Sequence, residues 1–137
     1  MNTMIRPVAG QGKKQIEMGI CQIQGGICYG NKGLCALSQG KCQCGEDLIR
    51  KSLICAQKGN SNVVAGAKQV PRQCNTCSLQ LINCGACQVK SSIPGLVSGL
   101  DDIQCCNVCC GAKKVKKALA GIEKGLCDIK RGYCNLR

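Results

Sequence analysis

Apolar residues along 111–134 recur at separations of three or four, so they would fall on one face of a helix. The members of this face are Val115, Leu119, Ile122, Leu126, Ile129 and Tyr133. Lysine and arginine occupy the other faces, with a cluster near the start formed by Lys113, Lys114, Lys116 and Lys117. The pattern predicts an amphipathic, basic helix in the C-terminal part of the chain.

A different pattern lies in residues 19–55, where the tripeptide Gly-x-Cys recurs every seven residues. Its copies are Gly19-Cys21, Gly26-Cys28, Gly33-Cys35 and Gly40-Cys42, and later Gly125-Cys127 and Gly132-Cys134. On a helix this period would align the sulfurs on one stripe beside Ile20, Ile27 and Leu34. The glycines, however, would cost such a helix roughly 6–7 kcal/mol, and each period contains a turn-forming sequence such as Gly-Asn-Lys-Gly. We therefore predict loops and turns here.

Residues 74–110 hold a second group of cysteines. The first four have separations of 3, 7 and 3, which suit the seam of a packed helix, and the last four form two adjacent pairs that could be bonded to it. The group consists of Cys74, Cys77, Cys84, Cys87, Cys105, Cys106, Cys109 and Cys110. Between the two sets, Ser-Ser-Ile-Pro-Gly-Leu predicts a broken loop at 91–100. We expect short helices that disulfides staple together.

These patterns divide the chain into four segments. Residues 1–18 form a basic N-terminal arm, which we expect an assembly to hold in place. A six-cysteine Gly-x-Cys repeat module follows at 19–55, then a linker at 56–73, where turn residues precede Pro71. Residues 74–137 form a ten-cysteine helical module that ends in the basic amphipathic helix. The expected fold is small, disulfide-rich, mixed α and irregular: a Gly/Cys loop module followed by short cysteine-stapled helices.

The first module has a recognisable cysteine framework. It reads Cys21-x6-Cys28-x6-Cys35-x6-Cys42-x-Cys44-x10-Cys55, with Asn-Lys-Gly-Leu-Cys before the third cysteine and Gly-Lys-Cys-Gln-Cys-Gly around the C-x-C pair. This resembles the framework of epidermal-growth-factor-like modules, although the usual aromatic residue and second glycine after the C-x-C pair are missing. The resemblance covers residues 21–55 and implies the pairs Cys21–Cys35, Cys28–Cys42 and Cys44–Cys55. The residues alone leave many pairings open.

Composition limits the available chemistry. The 137 residues include 16 cysteines, two tyrosines and no His, Phe or Trp. Without histidine there is no Ser-His or Cys-His pair and no histidine base, so we expect no enzyme and no cofactor. A core with so few aromatic side chains must come from Ile, Leu, Val, Ala and Cys. Because such a core is weak, we expect cross-links to hold the fold together, and all the cysteines are disulfide candidates.

Metal binding is the alternative use of the cysteines. A C-x2-C pair aims two thiolates at one point, so Cys74, Cys77, Cys84 and Cys87 could supply the four ligands of a zinc site. Thiolates also favour Cu(I). Zinc or copper is therefore the cofactor of the alternative interpretation.

The net charge of +12 indicates an anionic partner. An acidic protein, lipid headgroups or nucleic acid would each suit Lys113, Lys114, Lys116 and Lys117. No run of apolar residues is long enough for a transmembrane helix, and the first residues lack the apolar region of a signal peptide. Cysteine usage nevertheless indicates an oxidising location, such as a virion or the extracellular space.

The leading functional prediction is a non-enzymatic structural protein, cross-linked by disulfides, that cements a larger assembly of protein subunits. An accessory capsid protein of a virion or an extracellular shell or matrix component would fit. No small-molecule substrate is expected. The alternative is a thiolate protein that binds zinc or Cu(I) and contacts nucleic acid through its basic helix.

Overall fold

A computed structural model describes residues 8–137, with side chains from Gly10 onward, as four α-helices joined by short turns. The helices are α1 (Val8–Ser38), α2 (Cys42–Gln69), α3 (Thr76–Gln104) and α4 (Val108–Cys134). Because the connections are short, consecutive helices run antiparallel. The closest pairs are α1 with α2 and α3 with α4, which form two hairpins, and the hairpins stack with α1 on α4 and α2 on α3. No strand occurs among the described residues.

The core between the hairpins is aliphatic. In each helix buried isoleucine, valine or leucine side chains follow a seven-residue period, which Gly30 interrupts in α1 and Ala56 in α2; fully buried examples are Ile16, Ile23, Ile49, Val63, Ile82, Val89, Val115 and Ile129. No cysteine lies in the buried set of the described residues. The core is therefore formed without thiols, and β-branched residues supply most of its largest buried side chains.

Small residues line the contact inside each hairpin, four positions before the core residues. Gly12 faces Gly66 and Gly19 faces Gly59 across α1 and α2, and Gly99 faces Gly111 across α3 and α4. A Cβ atom at Gly59 would lie 2.6 Å from the carbonyl oxygen of Gly19, and one at Gly66 would lie 2.7 Å from that of Gly12. Real Cβ atoms do not come this close to a carbonyl oxygen. Only glycine, which has no Cβ, therefore allows the two backbones to approach to this distance.

A repeat of 33 residues underlies this arrangement. The first small residue of each helix at the hairpin contact is Gly12, Gly45, Ser78 or Gly111, and these positions are spaced 33 residues apart. Three more small residues follow each of them at seven-residue steps, and all are Gly, Ser or Ala. Each repeat is thus one helix with its turn. A single amphipathic helix cannot bury its own apolar face, so the four repeats fold together.

The prediction of loops and turns for 19–55 is wrong, because the stretch is helical in α1 and α2. The prediction counted the cost of each glycine in an isolated helix and no gain from packing. Most of the glycines share one face, where close packing along the hairpin offsets the penalty. Gly40 is an exception, since it lies in the α1–α2 turn at a φ of +78°, where glycine is favoured. The fold is therefore an all-helical bundle, not a mixture of helix and irregular structure.

The helical prediction for the C-terminal part is confirmed, since α4 buries Val115, Ile122 and Ile129. The predicted loop at 91–100 is instead continuous with α3, which contains Pro94. Of the predicted linker at 56–73, residues 56–69 lie in α2. Of the N-terminal arm, residues 8–18 begin α1, and residues 1–7 lie outside the described part of the chain.

Gly19→Ala tests the close contact within the hairpin. The new methyl group would lie 2.5 Å from the Gly59 carbonyl oxygen and 2.9 Å from the Val63 amide nitrogen. We expect the free energy of unfolding to fall by about 1–3 kcal/mol in urea denaturation, because overpacking displaces one helix from the other.

Gly25→Ala is the matched control, because Gly25 lies in the same helix with nothing within 4 Å of its Cβ position. It should raise the free energy of unfolding by about 0.5–1 kcal/mol, the usual gain of alanine over glycine in a helix. Equal effects at the two sites would contradict the close packing.

Candidate functional site: the surface thiols

In these helices the glycine and the cysteine of the Gly-x-Cys motif lie on opposite faces. Each glycine of the motif in α1 faces the hairpin partner, and the residue two positions later lies about 200° further round the helix. Cys21, Cys28 and Cys35 therefore point away from α2, and all three are exposed. They lie at steps of about 10 Å along the helix axis. The Gly-x-Cys repeat therefore places its cysteines on the surface of a helix and not in loops.

Cysteines in α4 extend this surface. Cys127 and Cys134 follow Gly125 and Gly132, which face α3, so they point away from α3 and are exposed. Since α1 packs beside α4, the two sets of thiols lie on the same side of the bundle. We call this side the thiol face, which consists of Cys21, Cys28, Cys35, Cys127 and Cys134.

Tyr133 of α4 contacts α1 beneath the thiol face. The Lys13 ammonium lies 5.8 Å from the centroid of the Tyr133 ring. Burial, and then a hydrogen bond to Glu17, raises the pKa of the Tyr133 hydroxyl. The protonated hydroxyl donates to the Glu17 carboxylate of the neighbouring helix α1.

A second group of thiols lies where the α1–α2 and α3–α4 turns meet. Gln104 Nε2 donates a hydrogen bond of 3.1 Å to Glu46 Oε2, which places both turns at the same end of the bundle. We call this group the turn-end cluster; it consists of Cys42, Cys44, Cys105, Cys106, Cys109 and Cys110, all exposed. Cys106 has a φ of 67°, the left-handed region that Gly40 occupies in the other turn. A side chain there costs roughly 1–2 kcal/mol, so this turn keeps a thiol where glycine would be more stable.

The remaining cysteines lie towards the opposite end or along α2 and α3. Cys74 also has a positive φ, of 68°. Together with Cys77 and Cys134 it lines a surface pocket of about 500 Å³ beside Arg137. Cys84 and Cys87 are exposed on α3, and Cys55 is half-buried on α2.

The zinc site of the alternative prediction is not formed within the chain. Among residues 8–137, no three side chains of Cys, Asp or Glu converge where they could hold a metal ion. Cys77 and Cys84 lie in one helix seven residues apart, which separates them by about 10 Å along its axis. Two sulfurs bound to one zinc ion, with bonds of about 2.3 Å, must be far closer.

The disulfide prediction is likewise not confirmed, because all sixteen cysteines lie in the described region and all are free. The pair Cys21–Cys35, implied by the growth-factor resemblance, would have to span fourteen residues of α1, or about 21 Å. A disulfide requires Cα atoms within about 7 Å. A continuous helix therefore prevents this pairing within one chain.

The predicted cationic contact lies on α4, where Lys113, Lys114, Lys116 and Lys117 are all exposed. Lys114 Nζ lies 2.8 Å from Asp102 Oδ2 and 3.0 Å from Ser98 Oγ on α3. The hydrogen bond to Asp102 raises the pKa of Lys114. Lys114 therefore ties α4 to α3, while Lys113, Lys116 and Lys117 extend the positive charge beside the turn-end cluster.

Comparison with known proteins adds no further assignment: no family model, curated protein or solved structure matches the chain. None of the helices within residues 8–137 is both long and apolar enough to cross a lipid bilayer.

Full reduction and metal chelation should leave the four-helix fold intact, because the buried side chains are aliphatic and the thiols lie outside them. We expect the far-UV circular dichroism and the melting temperature to be the same with and without excess reductant and chelator. Loss of helix under either condition would show that cross-links or metal hold the fold.

Proposed function

We propose that the chain is a non-enzymatic assembly protein whose surface thiols link it to neighbouring subunits by disulfide bonds. The observation that carries this proposal is the exposure of the cysteines: none is buried, and all but Cys55 are exposed. Unpaired cysteine is among the most buried residue types in folded proteins. Sixteen thiols at a bundle surface therefore suggest a role outside the fold.

The thiol face is the best candidate for the links between chains. Cys21, Cys28 and Cys35 are spaced about 10 Å apart along a rigid helix, beyond the reach of a disulfide to one another. Cysteines of the turn-end cluster have sequence neighbours, such as Cys105 beside Cys106, and share one end of the bundle. They have candidate partners within the chain, whereas the three thiols of α1 need another subunit.

Charge indicates the kind of subunit. At +12 the chain repels its own copies, so an acidic protein surface is the favoured partner. Electrostatic attraction would bring the surfaces together and disulfides would then lock the contact, which requires an oxidising location such as a virion or the extracellular space.

Oxidation of the purified chain tests the reactivity of the thiol face. At about 0.15 M salt, where screening acts over roughly 8 Å, we expect mild oxidation to give disulfide-linked oligomers on non-reducing gels. Replacing all five thiol-face cysteines by serine should lower the yield of oligomers, because it removes the three thiols of α1 that cannot reach one another. An acidic protein that carries exposed cysteines should form more mixed disulfides with the chain than a basic protein with the same number of thiols.

The matched control replaces five turn-end cysteines, Cys42, Cys44, Cys105, Cys109 and Cys110, by serine. This variant should still form oligomers. The proposal fails if the oxidised wild-type chain stays monomeric with all thiols paired internally. Oligomers that chelator dissolves and reductant leaves intact would instead support thiolate metal binding between subunits.

A further inference from the structure

The side of the bundle opposite the thiol face carries an open cleft of about 980 Å³ between α2 and α3. Val64 of α2 and Ile93 and Pro94 of α3 give it an apolar wall. The cleft lining contains no cysteine and no carboxylate. Its chemistry is therefore distinct from that of the thiol surfaces.

Asn60 lines this cleft and has a buried, unpartnered polar atom. Its side chain is only 7% exposed, and its Nδ2 donates a hydrogen bond of 3.1 Å to the carbonyl oxygen of Ala86. Since that carbonyl only accepts, the amide orientation is fixed, and Oδ1 is left with no hydrogen-bond partner in the described structure. A buried acceptor without a donor is destabilising, so Oδ1 is suited to a donor from a ligand.

The 33-residue repeat shows that Asn60 departs from the pattern of its own fold. The equivalent positions in the other helices are Ile27, Ile93 and Leu126. An aliphatic side chain is thus compatible with this position in the other three repeats. Of the two equivalent residues that line the cleft, Asn60 of α2 is polar and Ile93 of α3 is aliphatic.

Pro94 supplies a second acceptor beside the same cleft. It lies inside α3 and has no N–H, so the carbonyl oxygen of Lys90 lacks the helical donor it would otherwise have. The ammonium groups of Lys68 and Lys90 come from the two helices that form the cleft. The lining therefore combines positive charge and free acceptors with an apolar wall.

We propose that this cleft binds a small amphipathic anion that carries a hydrogen-bond donor. Its apolar body lies against Val64, Ile93 and Pro94. Its anionic group is held by Lys68 and Lys90. Its N–H or O–H group donates to Oδ1 of Asn60. A ligand of this class matches each unusual feature of the cleft, and it binds independently of the thiols.

Anilinonaphthalene sulfonate is a suitable probe, because it has aromatic rings, one sulfonate and one amine N–H. We expect saturable binding by fluorescence titration to the reduced, full-length chain. Lys68→Gln combined with Lys90→Gln should weaken binding about tenfold or more, the effect of losing charge-assisted hydrogen bonds. The control, Lys32→Gln with Lys124→Gln, makes the same charge change at exposed positions outside the cleft and should alter affinity less than about twofold. If both double variants lost the same affinity for the probe, binding would be due to general charge attraction and the proposal would be wrong.

The donor to Asn60 is tested with the N-methyl analogue of the probe, which lacks the N–H. It should bind the wild-type chain about tenfold more weakly than the parent compound, as expected when a buried acceptor is left unpaired. In Asn60→Leu the two compounds should bind equally. If the wild-type chain does not distinguish them, Asn60 only fixes helix register and the proposed contact is wrong. That comparison needs no variant, so a folding defect in Asn60→Leu would leave the test intact.

Discussion

Contact between small residues at seven-residue steps is the constraint on which the bundle depends. Because Gly19 and Gly59 bring their backbones together, the two helices of a hairpin lie closer than larger side chains would permit. The β-branched residues four positions later then meet over the second hairpin and fill the core. A single added methyl group in this seam therefore affects both layers, since the separation of the helices sets the position of every core side chain.

The same constraint explains why the thiols lie outside. A glycine in the seam fixes the rotation of its helix, and the residue two positions later must then face away from the hairpin partner. Cys28 follows Gly26 and Cys127 follows Gly125 in this way. The seam that makes the fold independent of thiols also places them at the surface, where reaction between subunits becomes geometrically possible. The glycine seam and the exposed thiols thus lie on opposite faces of one helix.

The sequence predicted α4 correctly because its apolar stripe is long and its polar faces are strongly charged. The prediction for α1 and α2 is wrong because glycine lowers the stability of an isolated helix. In the bundle its stabilising effect comes from close contact with the backbone of a second helix. A further signal was present: Gly12, Gly45, Ser78 and Gly111 lie 33 residues apart. Cysteine spacing was a poor guide to pairing, since the Gly-x-Cys period reflects helix rotation. Asn60 could not have been identified from sequence, because its burial depends on packing between α2 and α3.

The five cysteines of the thiol face come from the two ends of the chain and share one side of the bundle. The first and last repeats, α1 and α4, carry the Gly-x-Cys motif, and they are neighbours only after folding. At the corresponding positions α2 has Asp47, Ile54, Ser61 and Lys68, and α3 has one cysteine, Cys87. If the thiols served each helix separately, the four repeats should carry them alike. The Gly-x-Cys thiols of α1 and α4 share one side of the bundle, and the lysine-flanked cleft lies on the other, so the two surfaces differ in their chemistry.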